Sequence, residues 1–170
     1  MHSWRPHGAA PVMVRPIVPA DAIPLGELVT GMTPRDRRWR FHGGVNGLTQ
    51  ARLHAMCSPG EAELALVATV DGAIVAEVRC VLDVSGESAE FGVMVAQGWR
   101  RRGLASRCLD ALASAAVARG ALWPHGTVMA DNAPMLALLR RRGYHCAPCR
   151  EDAALVSVER RVAMVAGLAA

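Results

Sequence analysis

The sequence predicts an α/β domain of the α+β kind, with a mixed, mostly antiparallel central sheet of six to seven strands and helices on both of its faces. Three observations predict it. Short apolar runs of strand length alternate along the chain with stretches whose apolar residues recur at helical spacing. Asp71-Gly72 and Ser85-Gly86-Glu87 divide the middle of the chain into a meander, the first of them favouring the positive φ angles of a tight hairpin. A strand at 89–95 then leads through a short polar connection into Arg100-Arg101-Arg102-Gly103-Leu104-Ala105, which opens a long helix.

Taken in order, residues 12–18 read as the first strand, and Pro19-Ala20-Asp21 starts a helix that runs through Leu25 and Leu28 to Met32. Thr33-Pro34 starts a second helix, since threonine caps and proline is tolerated in a first turn. It carries Arg35, Arg37, Arg38 and Arg40 with Trp39 and Phe41, which suits either a surface that steers an acidic partner protein or a solvated face anchored by the two rings. A third short helix covers 49–56. Strands follow at 64–69, 73–82 and 89–95, then a helix over 102–119 with Leu104, Cys108, Leu109 and Leu112 on one side and Gly120 as its stop. Residues 123–129 form a strand, 132–142 a helix, and 144–149 with 154–160 a closing pair of strands. Residues 1–10 are expected to be a flexible N-terminus, and an Ala/Val/Gly-rich tail begins at Val162.

With 170 residues, of which 52% are hydrophobic, one domain with a sizeable core accounts for the chain. All 19 basic residues are arginines; lysine is absent, and the net charge is +4. An aromatic content of 4% gives no stacking platform for nucleic acid, and no segment approaches the ~20 apolar residues of a membrane span. Neither nucleic acid nor membrane is therefore an expected partner. The first ten residues lack the apolar core of a secretory signal, so a cytoplasmic location is expected. Five cysteines, an odd number, argue against a disulfide scaffold, and Cys57, Cys80 and Cys108 fall in apolar stretches where a buried thiol is the default. Cys146-x-x-Cys149 has no second ligand pair at similar spacing, so no metal is expected.

A helix start that presents glycine, small residues and arginine suits a phosphate. Its first N–H groups have no intrahelical acceptor, and the helix dipole adds positive charge at the same end. Arg-x-x-Gly-x-Ala after a strand resembles the acyl-CoA signature of the GNAT superfamily of N-acetyltransferases. Val128-Met129-Ala130-Asp131-Asn132, a helix and Gly143-Tyr144 resemble that family's second cofactor segment. Trp39-Arg40-Phe41, Ala65-Leu66-Val67-Ala68, Ala89-Glu90-Phe91 and Asn132-Ala133-Pro134-Met135-Leu136 resemble the acetyltransferase domain of bacterial protein-lysine acetyltransferases, which several of those proteins carry fused to a further region.

The resemblance implies a splayed strand pair with the pantetheine arm of acetyl-CoA in the gap. It places backbone of Met94 and Val95 along that arm and Arg100, Arg101, Arg102, Gly103, Leu104, Ala105 and Ser106 around the pyrophosphate, with Gly103 leaving room for close approach. Asn132 would contact the pantetheine amides or cap its helix, and Met135 belongs to the same wall. The acceptor is an amine, of a protein lysine or a small molecule, and a homodimer is compatible with the family.

An amine with a pKa of ~10.4 must lose a proton before it attacks a thioester. Glu90, flanked by Ala89 and Phe91, is the candidate base, and the resemblance places a catalytic glutamate there; a solvated strand glutamate is the other reading, with Glu87 a weaker choice. Many members carry a tyrosine as acid where this chain has Leu139, while Tyr144, the only tyrosine, is expected in the core. That replacement leaves open a second reading, a catalytically silent acyl-CoA-binding sensor. His125 and His54 suit surface or structural positions more than the acceptor side.

Overall fold

The computed structural model describes residues 2–4, 10–43 and 47–162. Among them are eight strands: β1 (His2–Trp4), β2 (Val12–Pro16), β3 (Glu63–Val70), β4 (Ala73–Leu82), β5 (Ser88–Val95), β6 (Trp123–Met129), β7 (His145–Pro148) and β8 (Leu155–Glu159). The helices are α1 (Ala22–Thr30), α2 (Pro34–Phe41), α3 (Gln50–Met56), α4 (Leu104–Val117) and α5 (Ala133–Arg141). One sheet in the order β1-β2-β3-β4-β5-β6-β8-β7 holds all the strands, and every neighbouring pair is antiparallel except β5 and β6.

The eighth strand corrects the expectation of six to seven. It lies at 2–4, where a flexible terminus was expected, and pairs His2 with Val14 and Trp4 with Val12. Three residues are too few to show alternation, and the strand is held by its partner and by Arg107, which stacks over the Trp4 ring at 5.0 Å. The expectation for the tail beyond Val162 lies outside the described residues.

Local chemistry explains where the helices begin. Thr33 accepts from the Asp36 N–H and Thr49 from the Arg52 N–H, each at 3.2 Å, which supplies orphan donors at the starts of α2 and α3. At α1, the buried Asp21 carboxylate accepts from the Val18 N–H at 2.9 Å and from both ends of the Arg15 guanidinium at 2.7 Å. Asp71 and Gly72 turn the β3–β4 hairpin with φ of 49° and 86°.

Two apolar layers cover the sheet. On one face Leu104, Cys108, Leu109 and Leu112 of α4 pack with Val78, Cys80 and Ala89, joined by Leu136 and Leu139 of α5. On the other, Leu25 and Val29 of α1 and Leu53 and Met56 of α3 pack on Val67, Ile74 and Met94. Burial pushes the thiols of Cys80 and Cys108 up to about 11 and about 12, so both remain protonated core groups. Cys57 is also buried.

The parallel pair is where the sheet opens. β5 and β6 are in register only at Ser88–Trp123, Ala89–Pro124 and Glu90–His125. Past Glu90, β5 pairs only with β4, and β6 only with β8. The backbone edges of 91–95 and 126–129 diverge from that point.

Candidate active site

The divergence opens a cleft of about 760 Å³ between β5 and α5. Val93, Met94 and Val95 form one wall, Asn132, Met135, Leu138 and Arg141 the other, and the turn from Arg100 to Ser106 closes one end. Arg141 was not foreseen. A short 3₁₀ turn, Gln97–Trp99, leads in; Arg101 then takes φ 58° and Gly103 φ 78°, so the chain turns sharply before α4 begins. The first N–H donors of α4 have no intrahelical acceptor and stand at this end of the cleft. A cradle of such donors beside a long apolar cleft fits a phosphorylated carrier with an extended arm.

Glycine at 103 answers to the backbone and leaves open space beside it. A Cβ there would meet no protein atom within 4 Å, whereas φ of 78° disfavours any L side chain. The three arginines divide as well. Arg100 and Arg101 both line the cleft. Arg100 turns back, its Nε donating to the Val95 carbonyl at 3.3 Å and its two Nη atoms to Asp36. Arg102 stacks over the Trp99 ring at 5.3 Å.

A smaller cavity, about 290 Å³, adjoins the first on the far side of the splay. Glu90, His42, Gly92 and Thr127 line it, and Trp39, Arg40, Val93, Asn132 and Met135 line both cavities. Glu90 thus occupies the last paired position before the strands part and faces the smaller cavity. Its setting is not the apolar one that its sequence neighbours Ala89 and Phe91 suggest. The side chain is exposed, because strand alternation turns Ala89 and Phe91 to the opposite face, where Ala89 is buried and Phe91 meets the Tyr144 ring edge-on at 5.4 Å. Glu87 is exposed in the turn before β5. His125 stands opposite Glu90 in the register and His54 is exposed on α3; neither lines a cavity.

α2 crosses the mouth of the gap. At one end Asp36, 5% exposed, is bound by Arg100 and by the Thr33 hydroxyl at 2.7 Å. Burial works to raise its pKa, yet the guanidinium and the hydroxyl outweigh it and hold the carboxyl below the usual range. At the other end Asp131, in the β6–α5 turn, accepts from Trp39 Nε1 at 2.8 Å and from the Arg38 guanidinium, while Arg35 stacks over the Trp39 ring at 4.4 Å. The indole donor, then the arginines, depress the Asp131 carboxyl. Arg35 and Arg38 of this basic helix remain exposed, while Arg38 reaches Asp131 and Arg40 faces Glu77. Asp36 carries no motif and Asp131 is marked only by its place before Asn132; the fold alone pairs them with residues 64 and 92 to 93 positions away.

Glu77 on β4, opposite Met94 in the register, is fully buried. Arg79 Nε donates to its Oε1 at 2.5 Å, and Arg79 also reaches the Met56 carbonyl at 3.0 Å and Glu63 at 3.8 Å. Arg40 Nη2 lies 3.6 Å from Glu77 Oε2. Glu77 and Arg79 are the two charged residues of β4, and because the strand is buried on both faces from Ile74 to Val78, its pattern does not mark which way Glu77 points.

Asn132 Oδ1 accepts from the Met135 N–H at 3.3 Å and so caps α5, while the residue also lines both cavities. Leu139 is fully buried, and Tyr144 is 8% exposed in the core with its hydroxyl pKa raised by burial. Cys146 and Cys149 are half-buried, and the described residues contain no group of three or more metal-ligating side chains.

Comparison with known proteins agrees with this geometry. The model of the acetyltransferase (GNAT) family matches residues 35–144. The GNAT domain of S. lividans PAT superposes with a TM-score of 0.83 at 23% identity, over 92% of this chain and 93% of that one. A PaiA N-acetyltransferase from Thermoplasma acidophilum in complex with coenzyme A gives 0.73 at 13% identity, over 88% and 98% of the two chains. RimL, a ribosomal L7/L12 alpha-N-protein acetyltransferase in complex with CoA, gives 0.71 at 13% identity, over 89% and 94%.

Proposed function

Since the chain belongs to the acetyltransferase (GNAT) family, we propose that it moves an acetyl group from acetyl-CoA to a primary amine, of a protein lysine or a small molecule, by direct attack with Glu90 as general base. The observation that carries this reading is the position of Glu90, at the last paired step of β5 and β6, in a cavity that adjoins the long cleft. A base there stands between solvent and the region where the two cavities share Val93, Asn132 and Met135.

The residues present fit such a donor. The N–H groups opening α4 and the Arg101 guanidinium bind pyrophosphate at the closed end. The free edge of β5 at Met94 and Val95 offers backbone partners to pantetheine amides, and Asn132 and Met135 bound the opposite wall. When bound, the thioester supplies an activated acyl carbon. Glu90, open to water, takes the ammonium proton directly or through a water. With Leu139 and Tyr144 both in the core, no acid from α5 meets the leaving sulfur, and a CoA thiol whose pKa is near the ~8.5 of cysteine departs as thiolate. Five unpaired thiols suit a reducing compartment, so a cytoplasmic location belongs to the same proposal.

A turnover screen tests this reading: purified protein, acetyl-CoA and a panel of lysine peptides and small amines, followed by release of the CoA thiol. Amine-dependent release is the expected result. Binding of acetyl-CoA with no release over the whole panel would favour the silent-sensor reading instead.

A further inference from the structure

Arg40 is a half-buried cation with too few partners. Among the described residues its one ionic partner is Glu77, at 3.6 Å, and its Nε is buried without an acceptor. A guanidinium carries five donors, and leaving them unmet in a partly desolvated place is costly unless something else accepts. The arrangement fixes the group all the same. Glu77 anchors it from below and is itself held by Arg79, while Gly92 of β5 makes room from the side: a Cβ there would lie 3.0 Å from Arg40 Cζ and 3.1 and 3.2 Å from the two Nη atoms. Gly92 is two residues beyond Glu90 on the same face of the strand, and Arg40 lines both cavities. The Nε is enclosed, and the Nη donors, which make no hydrogen bond among the described residues, stand where the donor cleft and the acceptor cavity join, on the side from which Glu90 serves the amine.

We propose that Arg40 is a catalytic residue, whose guanidinium donates to the acyl carbonyl oxygen of the bound donor and stabilises the negative charge that oxygen gains as the amine adds. The proposal rests on the acetyl-transfer reading above. In the step, the amine nitrogen lone pair forms the C–N bond while the carbonyl π pair moves to oxygen. That pair then returns, the C–S bond breaks, and sulfur leaves with its electrons as thiolate. Nitrogen sheds two protons in all: the first, from the ammonium, goes to Glu90 and on to water before attack, and the second, from the adduct, goes to Glu90 in turn. Arg40 stays protonated throughout, which its chemistry ensures. Preorganised donors of this kind typically contribute about 10²–10³ in rate.

The test reads the carbonyl itself. Infrared difference spectra of the protein with acetyl-CoA, unlabelled against carbonyl-¹³C-labelled, isolate the stretch of the bound thioester. In wild type it should lie at lower frequency than in solution, and in Arg40→Gln it should return to the solution position, with turnover down roughly 10²-fold and the dissociation constant for desacetyl CoA little changed. Gly92→Ala, whose Cβ displaces the guanidinium while leaving Arg40 and Glu77 in place, should give the same return and covers the case in which Arg40→Gln does not fold. A stretch unchanged between wild type and the folded variants overturns the proposal, even if the KM for the acceptor rises, since that would place Arg40 on the amine substrate instead. Failure of wild type to bind acetyl-CoA would overturn the acetyl-transfer reading, and this proposal with it.

Discussion

Arg100 holds Asp36 by both ends of its guanidinium, Nη1 at 3.0 Å from Oδ1 and Nη2 at 2.9 Å from Oδ2, and so ties α2 to the turn that opens α4. An arginine that the sequence marks for phosphate is thereby also bound to a carboxylate, and both residues line the cleft.

Asp36→Asn should cost about 1–2 kcal/mol, toward the low end of a charged hydrogen bond because the Arg100 side chain is 37% exposed. The loss should depend on acidity. The carboxyl is depressed in the folded state, so its contribution is complete above the unfolded value near ~3.9 and disappears as pH falls through the lower folded value. Urea unfolding of wild type and variant across pH 2 to 7 should show a constant gap above about pH 5 that closes in acid. A gap that persists at the acid end would mean that the pair is not its source.

At position 103 the backbone sets the outcome. Gly103→Ala should destabilise the protein by roughly 1–2 kcal/mol through φ alone. Gly103→Glu should in addition abolish the thermal protection given by acetyl-CoA, by setting a carboxylate against the phosphates. Undiminished protection in the glutamate variant would remove the cradle from the binding site.

Glu90→Gln keeps shape and removes the base. Acetyl-CoA affinity, measured by calorimetry, should remain within a few-fold, while turnover falls by about 10²–10⁴. Equal turnover in both proteins across the pH range would dismiss Glu90 from the chemistry.

Tyr144→Phe tests whether the only tyrosine acts as an acid. Its ring packs against Phe91 and beneath the Arg160 guanidinium, and it lines neither cavity. Turnover should therefore change by less than about three-fold, against the 10²-fold or more expected of a group that moves a proton. A larger loss with an unchanged melting temperature would reinstate it.

Local signals carried most of the fold. Thr33-Pro34, Asp71-Gly72 and Gly120 punctuate the chain where propensity and turn chemistry say they should, and the apolar spacing of α4 is unambiguous. The strand at 2–4 was illegible because its stability comes from its partner and not from its own three residues. The same division holds at the site. Glu90 and the turn at 100–106 lie on one short stretch of sequence and could be read as a pattern. Asp36, Asp131 and Glu77 could not, since each matters through an arginine or an indole brought to it by the fold. Chain order also leaves three adjacent guanidiniums alike, whereas in the fold, with Arg101 at φ 58°, Arg100 reaches a carboxylate from the cleft wall, Arg101 lines the cleft and Arg102 stacks over an indole.

Every cationic side chain around the cleft, Arg40, Arg100, Arg101 and Arg141 among them, is a guanidinium. A lysine held beside a thioester would be in competition with the intended amine, since its neutral form is a nucleophile. A guanidinium keeps its proton and has no free lone pair to offer. Positive charge for gripping phosphate is thus supplied by groups inert to the donor they hold. With no lysine side chain in the 170 residues, none of this chain's own side chains is an amine for it to acetylate.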